Sequence, residues 1–97
     1  MPLPRRSASP DAGRYRVSPD TASAALSDGA VVLHLGTKRY YSLNETGGLV
    51  WTMLEEGATV ERIVECLVER YEVTREQAVR AVDRLVAALL ERQLVKA

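Results

Sequence analysis

This sequence contains few of the residues that build metal sites, disulfides and catalytic centres. Its 97 residues include one cysteine, Cys66, and one histidine, His34. One cysteine excludes a disulfide within the chain. One cysteine and one histidine also cannot form a cluster with the ligand spacing of a zinc site. Phenylalanine is absent and Trp51 is the only tryptophan, so a folded core would be mainly aliphatic. We therefore predict no metal or other cofactor, and a reducing, cytoplasmic setting.

The chain also lacks an excess of charge and a long apolar run. Thirteen basic side chains balance thirteen acidic ones, which disfavours nucleic-acid binding because that binding rests largely on neutralising phosphates. No stretch could span a bilayer, and no apolar run follows the N-terminal Arg pair to form a signal peptide. We expect a soluble protein with no membrane partner.

The composition changes at about residue 14. Residues 1–13 hold three of the four prolines together with Ser, Ala and Gly, a mixture with little apolar surface to offset the entropy of ordering. We predict a flexible tail over residues 1–13 and one folded domain over residues 14–97, a length that can support a single core.

Three segments are predicted to be strands. They are "RYRV" at 14–17, "AVVLHLG" at 30–36, and "RYYSLN" from Arg39, while "TASAALSDG" between the first two is only weakly patterned. "GTK" at 36–38 predicts a tight hairpin loop. Pairing Leu35 with Arg39 would then place Val31 and Leu33 opposite Leu43 and Tyr41 on one apolar face. The other face would carry Val32, His34, Tyr40 and Ser42 and remain wet.

Three helices follow, and each start carries a capping signal. Asn44 precedes the apolar stripe around Trp51, Thr59 precedes a second stripe, and Thr74 with Gln77 forms a capping box before the longest stripe. Trp51 is predicted to anchor the core. The predicted fold is therefore α+β and winged-helix-like, with a three-stranded antiparallel sheet followed by three helices.

No group of residues predicts catalysis. His34 and Cys66 have no third group to orient them, and the pair Gly47-Gly48 lacks the lysine or the spacing of a phosphate-binding loop. Close packing of a helix start against the sheet accounts for the two glycines equally well. We therefore predict that the chain is not an enzyme.

The last predicted strand is the most informative segment. An edge strand exposes backbone N–H and C=O groups, and a peptide can add to that edge as another antiparallel strand. The charges of Lys38 and Arg39 have a second interpretation, because such charges also protect edges from aggregation. The pattern alone does not choose between the two.

Six motifs follow one another in a distinctive order. They are Val31–Leu35, Gly36, Tyr41-Ser42-Leu43-Asn44, Trp51, Gly57-Ala58-Thr59 and Leu94-Val95. This order resembles the PqqD-like recognition elements of ribosomally synthesised and modified peptides (RiPPs). The resemblance covers roughly residues 14–97 and is closest to the discrete leader-binding proteins of lasso peptide clusters, with the pyrroloquinoline quinone chaperone PqqD a less similar relative.

The resemblance implies a peptide-binding function without catalysis. Such proteins bind the leader segment of a precursor peptide and present it to a modifying enzyme, which in lasso peptide clusters is a separate cysteine protease. Binding would run along the third strand and against the third helix. The residues implied here are Arg39, Tyr40, Tyr41, Ser42, Leu43, Arg75, Val79, Val82, Asp83 and Val86. On the third helix we expect Ala78, Leu85 and Leu89 to face the core, with Val79, Val82 and Val86 bordering the strand.

A winged-helix DNA-binding regulator is the alternative. It would place one helix in the major groove. Arg75, Arg80, Arg84 and Arg92 lie in or beside the third helix, but so do Glu76, Asp83 and Glu91. That balance weakens phosphate contacts and favours the peptide-binding hypothesis.

Overall fold

Residues 14–97 form two small sheets and three helices. A computed structural model describes residues 14–97, so the predicted tail at 1–13 lies outside the described residues. The elements in chain order are β1 (Arg16–Val17), β2 (Thr21–Leu26), β3 (Gly29–His34), β4 (Arg39–Leu43), α1 (Glu45–Glu55), α2 (Val60–Arg70), α3 (Arg75–Glu91) and β5 (Val95–Lys96). Within residues 14–97, no helix has the length and apolar character needed to cross a membrane.

The predicted fold class is confirmed, but the sheet has a different first strand. The three-stranded antiparallel sheet has the order β2-β3-β4. The predicted strand at 14–17 contributes only β1, which pairs with β5 beside the C-terminal end of α3. The sequence pattern missed β2 because Thr21–Leu26 contains mostly Ala, Ser and Thr and shows little contrast between its faces. Its pairing with β3 makes it a strand.

The predicted register between β3 and β4 was wrong by one residue. Val32 pairs with Tyr41 and Ala30 with Leu43, while Leu33 lies opposite Tyr40. A one-residue slip reverses both faces of a strand, so Val32 faces the core and is fully buried. The reason is a loop of four residues rather than three, in which Lys38 adopts a left-handed backbone (φ 62°) and its N–H donates to the His34 carbonyl.

His34 lies on the core side of β3, not on a wet face, and is 7% exposed. Its Nδ1 accepts hydrogen bonds from the N–H groups of Gly36 (3.1 Å) and Thr37 (3.2 Å). The imidazole therefore holds the hairpin loop in shape.

All three predicted helix caps are confirmed. The Asn44 side chain accepts from the Gly47 N–H and the Thr59 side chain from the Arg62 N–H. Thr74 and Gln77 form the full reciprocal capping box of α3. These bonds satisfy amide groups that have no partner within the helix itself, which explains why these helices start where the sequence predicts.

The core lies between the inner face of the three-stranded sheet and the helices. Trp51 lies in this core, as predicted, and is 1% exposed. Its indole N–H has no acceptor among the described residues. Trp51 therefore contributes through packing. A Cβ on Gly48 would lie 2.8 Å from the carbonyl carbon of Gly29, so α1 can start this close to β3 only because Gly48 has no side chain. The other buried hydrophobic residues of this cluster are Val32, Val50, Leu54, Ile63, Val64, Leu67, Ala78, Val82, Val86, Leu89, Leu94 and Val95.

Candidate functional site

β4 is an edge strand, with β3 as its only strand neighbour among the described residues. The His34 carbonyl accepts a hydrogen bond from the Lys38 N–H on the β4 side of β3. The Leu35 N–H donates to the Asp20 carbonyl on the β2 side. Backbone polar groups alternate sides along a strand, and an antiparallel hydrogen-bonded pair exchanges both of its bonds. The pairs are Arg39 with His34, Tyr41 with Val32 and Leu43 with Ala30. The N–H and C=O groups of these three β4 residues therefore point toward β3.

The backbone groups of the intervening residues of β4 have no partner strand among residues 14–97. By the same alternation the N–H and C=O of Tyr40 and Ser42 point away from β3. Both residues are exposed. The edge thus offers two donors and two acceptors at the spacing of an extended strand.

A groove runs beside this edge, between β4 and the C-terminal half of α3. Its volume is about 390 Å³, and its apolar walls suit side chains of medium size. We call it the β4 groove. It is lined by Tyr40, Tyr41, Ser42, Leu43, Leu85, Ala88, Leu89, Arg92 and Leu94.

Arg92 places a positive charge in the β4 groove. Its guanidinium carbon lies 5.6 Å from the centre of the Tyr41 ring, within the range of a cation–π interaction. Its only ion pair among residues 14–97 is a long one to its neighbour Glu91, at 3.7 Å, and both side chains are well exposed. The guanidinium can therefore still pair with a carboxylate that enters the groove.

The structure brings the five predicted residues of β4 together but places the five predicted residues of α3 elsewhere. Val82 and Val86 are in the core, 1% and 4% exposed. Asp83 lies with Tyr15 and Val60 on another surface.

The remaining two predicted α3 residues, Arg75 and Val79, also lie away from the β4 groove. Arg75 forms an ion pair with Glu61 of α2. Val79 lies beside Arg75, Glu76 and Arg80 in a separate shallow depression. None of these residues lines the groove, so the expectation that Val79, Val82 and Val86 border the strand was wrong.

Helix geometry explains this error. Successive residues of an α-helix point about 100° apart, so Leu85 and Val86 lie on different flanks of the stripe formed by Ala78, Val82 and Leu89. The flank with Leu85, Ala88 and Arg92 faces β4. Both flanks are apolar enough to line a groove, so the sequence shows two candidate flanks but not which one faces the sheet.

Comparisons with known proteins identify the family of this chain. The family described as Coenzyme PQQ synthesis protein D (PqqD) matches residues 29–95. The structure of TbiB1 in complex with the TbiA(beta) leader peptide is 34% identical with a TM-score of 0.79, covering 82% of this chain and 93% of that one. Lasso peptide synthetase B1 complexed with the leader peptide is 28% identical with a TM-score of 0.79, covering 87% and 99%. No match was found among curated proteins. The match over most of the folded domain, with these two structures, shows that the chain belongs to the PqqD family.

Proposed function

We propose that this protein binds the leader segment of a ribosomally synthesised precursor peptide, of the lasso peptide class, as an added strand on β4. The observation that carries the proposal is the free edge at Tyr40 and Ser42 directly beside the β4 groove. Two relatives of the same fold are solved with leader peptides bound. The chain supplies binding, and the chemistry belongs to a partner.

The edge supplies affinity that depends little on sequence. A peptide strand next to β4 forms main-chain hydrogen bonds with Tyr40 and Ser42, each contributing about 0.5–1.5 kcal/mol net. The side chains of an added strand alternate between the two faces of the sheet. One set therefore points toward Tyr41, Leu43 and the β4 groove.

The groove supplies selectivity. Leu85 and Ala88, which are both half-buried, offer apolar contact to a leader side chain. Arg92 offers a charge to an acidic neighbour. Burial of one medium-sized apolar side chain contributes about 1.5–3 kcal/mol, comparable to the backbone bonds, so leaders with a matching anchor would be preferred.

The second part of the proposal is delivery of the bound leader to a separate cysteine protease. Strand addition holds the leader extended and uses only one of its edges for pairing with β4. The opposite edge of the leader stays accessible. In a reconstituted reaction, adding this chain should accelerate leader removal, and a variant that does not bind the leader should not.

Ser42→Pro tests strand addition directly. Proline removes one N–H, and this N–H points away from β3, so the fold should be retained. We expect leader affinity to fall about tenfold or more, since roughly 1.4 kcal/mol corresponds to tenfold. The measurement is titration calorimetry with the TbiA(beta) leader and with leaders of precursors encoded beside the gene.

Ala25→Pro is the matched control on the other edge of the sheet. Ala25 is exposed in β2, and by the same alternation its N–H also points out of the sheet. This variant should bind leader like the wild type. A folded Ser42→Pro protein with unchanged affinity would refute strand addition at β4, and equal losses in both variants would show a general effect on the fold.

A further inference from the structure

The β4 groove has an apolar end and a cationic end. Gln93, which follows α3, lines a small cavity together with His34, and His34 pairs with Arg39. The C-terminal end of α3 therefore lies at the end of the sheet where β4 begins. Among the groove residues of α3, Arg92 lies toward the start of β4, and Leu85, two turns earlier, lies toward its end.

Two guanidinium groups flank Tyr41 at the cationic end. Paired residues of an antiparallel sheet place their side chains on the same face, so Arg39, the partner of His34, shares the inner face with Tyr41. Arg92 lies over the Tyr41 ring from the side of α3. Arg39 forms no ion pair within residues 14–97, and Arg92 forms only the long one to Glu91. Protection of an edge from aggregation explains a charge on β4, but it does not require a second cation on the facing helix.

We propose that the cationic end binds an Asp or Glu side chain of the leader and thereby sets the direction of the bound strand. This depends on the proposed function, because the carboxylate is carried by the strand added to β4. A carboxylate matches the planar fork of a guanidinium group. It would also offset the repulsion between the like charges of Arg39 and Arg92.

The dimensions of helix and strand set the position of the acidic residue. Ala88 belongs to the apolar wall of the groove, and Arg92 follows it by four residues, or about 6 Å along the helix axis. Alternate residues of a strand point to the same face and are about 6.7 Å apart. The acidic residue should therefore stand two positions from the apolar anchor of the leader.

The direction of the added strand sets the order of these two leader residues. Antiparallel pairing is slightly more stable per residue than parallel pairing. A leader antiparallel to β4 passes Leu43 first and Arg39 last, so its apolar anchor comes first and its acidic residue second. A parallel leader would need the reverse order.

Titration calorimetry of the full chain tests this site. The probe is the tightest-binding leader of the Ser42→Pro titrations, made with each Asp and Glu replaced in turn by Asn or Gln. One replacement, two positions after an apolar residue, should lower the affinity about threefold to tenfold at about 0.1 M salt and less at about 1 M salt. Arg92→Gln should lose as much affinity for the unchanged leader and no more for that neutral leader, because both changes remove one shared interaction. Arg92→Glu should recover affinity for a leader with Lys in place of that acid.

Arg80→Gln is the matched control. Arg80 is an exposed arginine of the same helix and lies in the separate depression beside Val79, so this variant changes the net charge equally but away from the groove. It should bind every leader like the wild type. Circular dichroism of each variant identifies any loss of fold.

Other outcomes would overturn the inference. Wild-type affinity in Arg92→Gln, with weakened binding in Ser42→Pro, would remove the carboxylate site and leave strand addition intact. Equal losses in Arg80→Gln and Arg92→Gln would reduce the effect to net charge. A critical acid two positions before the apolar anchor would reverse the assigned direction.

Discussion

At the scale of single residues, His34 links the core to the strand proposed to bind peptide. Its ring is nearly buried, and its Nδ1 accepts two loop N–H groups that immediately precede β4. Both donors point at the same nitrogen, so Nδ1 must keep its lone pair. A side chain at this position therefore needs an acceptor at the δ position as well as suitable bulk.

Asparagine and glutamine separate these two requirements. The Oδ1 of His34→Asn can occupy the place of Nδ1, whereas the longer glutamine places its oxygen one bond further out. We expect His34→Asn to be more stable than His34→Gln by about 1–3 kcal/mol, the cost of leaving buried donors unsatisfied. Urea unfolding measures the difference. Packing alone predicts the reverse order because glutamine fills more space, so a more stable His34→Gln would contradict the capping role.

At the scale of elements, two helices end with the same motif but with different residues. At the end of α1, Ala58 N–H bonds to Met53 C=O and Gly57 N–H to Leu54 C=O. At the end of α3, Leu94 N–H bonds to Leu89 C=O and Gln93 N–H to Leu90 C=O. This is the Schellman pattern, which requires a left-handed residue. Gly57 supplies it at φ 83° and Gln93 at φ 61°.

The two positions should respond to substitution with opposite signs. A Cβ on Gly57 would meet no atom within 4 Å, so Gly57→Ala should cost only the left-handed penalty, about 1 kcal/mol. Gln93→Gly should remove the same penalty and stabilise the fold by up to about 1 kcal/mol. The gain is reduced by the greater conformational entropy that glycine loses on folding. Thermal unfolding of both variants measures the effect. A destabilised Gln93→Gly would show that the Gln93 side chain makes a contact worth more than the backbone penalty.

At the scale of the whole molecule, the rotation of α3 about its own axis determines the composition of the β4 groove. The helix buries Val82 and Val86, and so presents Leu85 to β4 and Val79 to a separate surface. The C-terminal end of α3 brings Arg92 over Tyr41, and Leu94 then follows into the core. A single rigid helix thus sets the distance between the groove wall and the free edge.

Leu85 and Val79 form a matched pair for testing this arrangement. Both are half-buried on α3, so glutamate should perturb the fold similarly at either position. We expect Leu85→Glu to weaken leader binding by about 1–3 kcal/mol and Val79→Glu to leave it unchanged. Calorimetric titration of both folded variants gives the comparison. The opposite result would place the leader on the Val79 surface, and Val86→Glu cannot decide between the two because it buries a charge in the core.

Features that depend on residues three or four positions apart could be predicted from the sequence. The caps at Asn44, Thr59 and Thr74, the helices that follow them and the core position of Trp51 were all predicted correctly. The order of motifs also predicted the family. Local hydrogen bonds and apolar periodicity depend on residues that are close together in the sequence. These features can therefore be predicted without knowing which distant segments come into contact.

Features that depend on contacts between distant segments could not be predicted in this way. β2 has almost no pattern of its own and exists through pairing with β3, and the register of β4 depends on a loop held by His34. In the candidate site the five predicted residues of β4 lie together at the sheet edge, whereas none of the predicted α3 residues lines the groove beside it. A one-residue slip of a strand or a 100° rotation of a helix changes no local pattern. Either shift changes which side chains are in contact. Packing between distant segments alone selects the observed register and rotation.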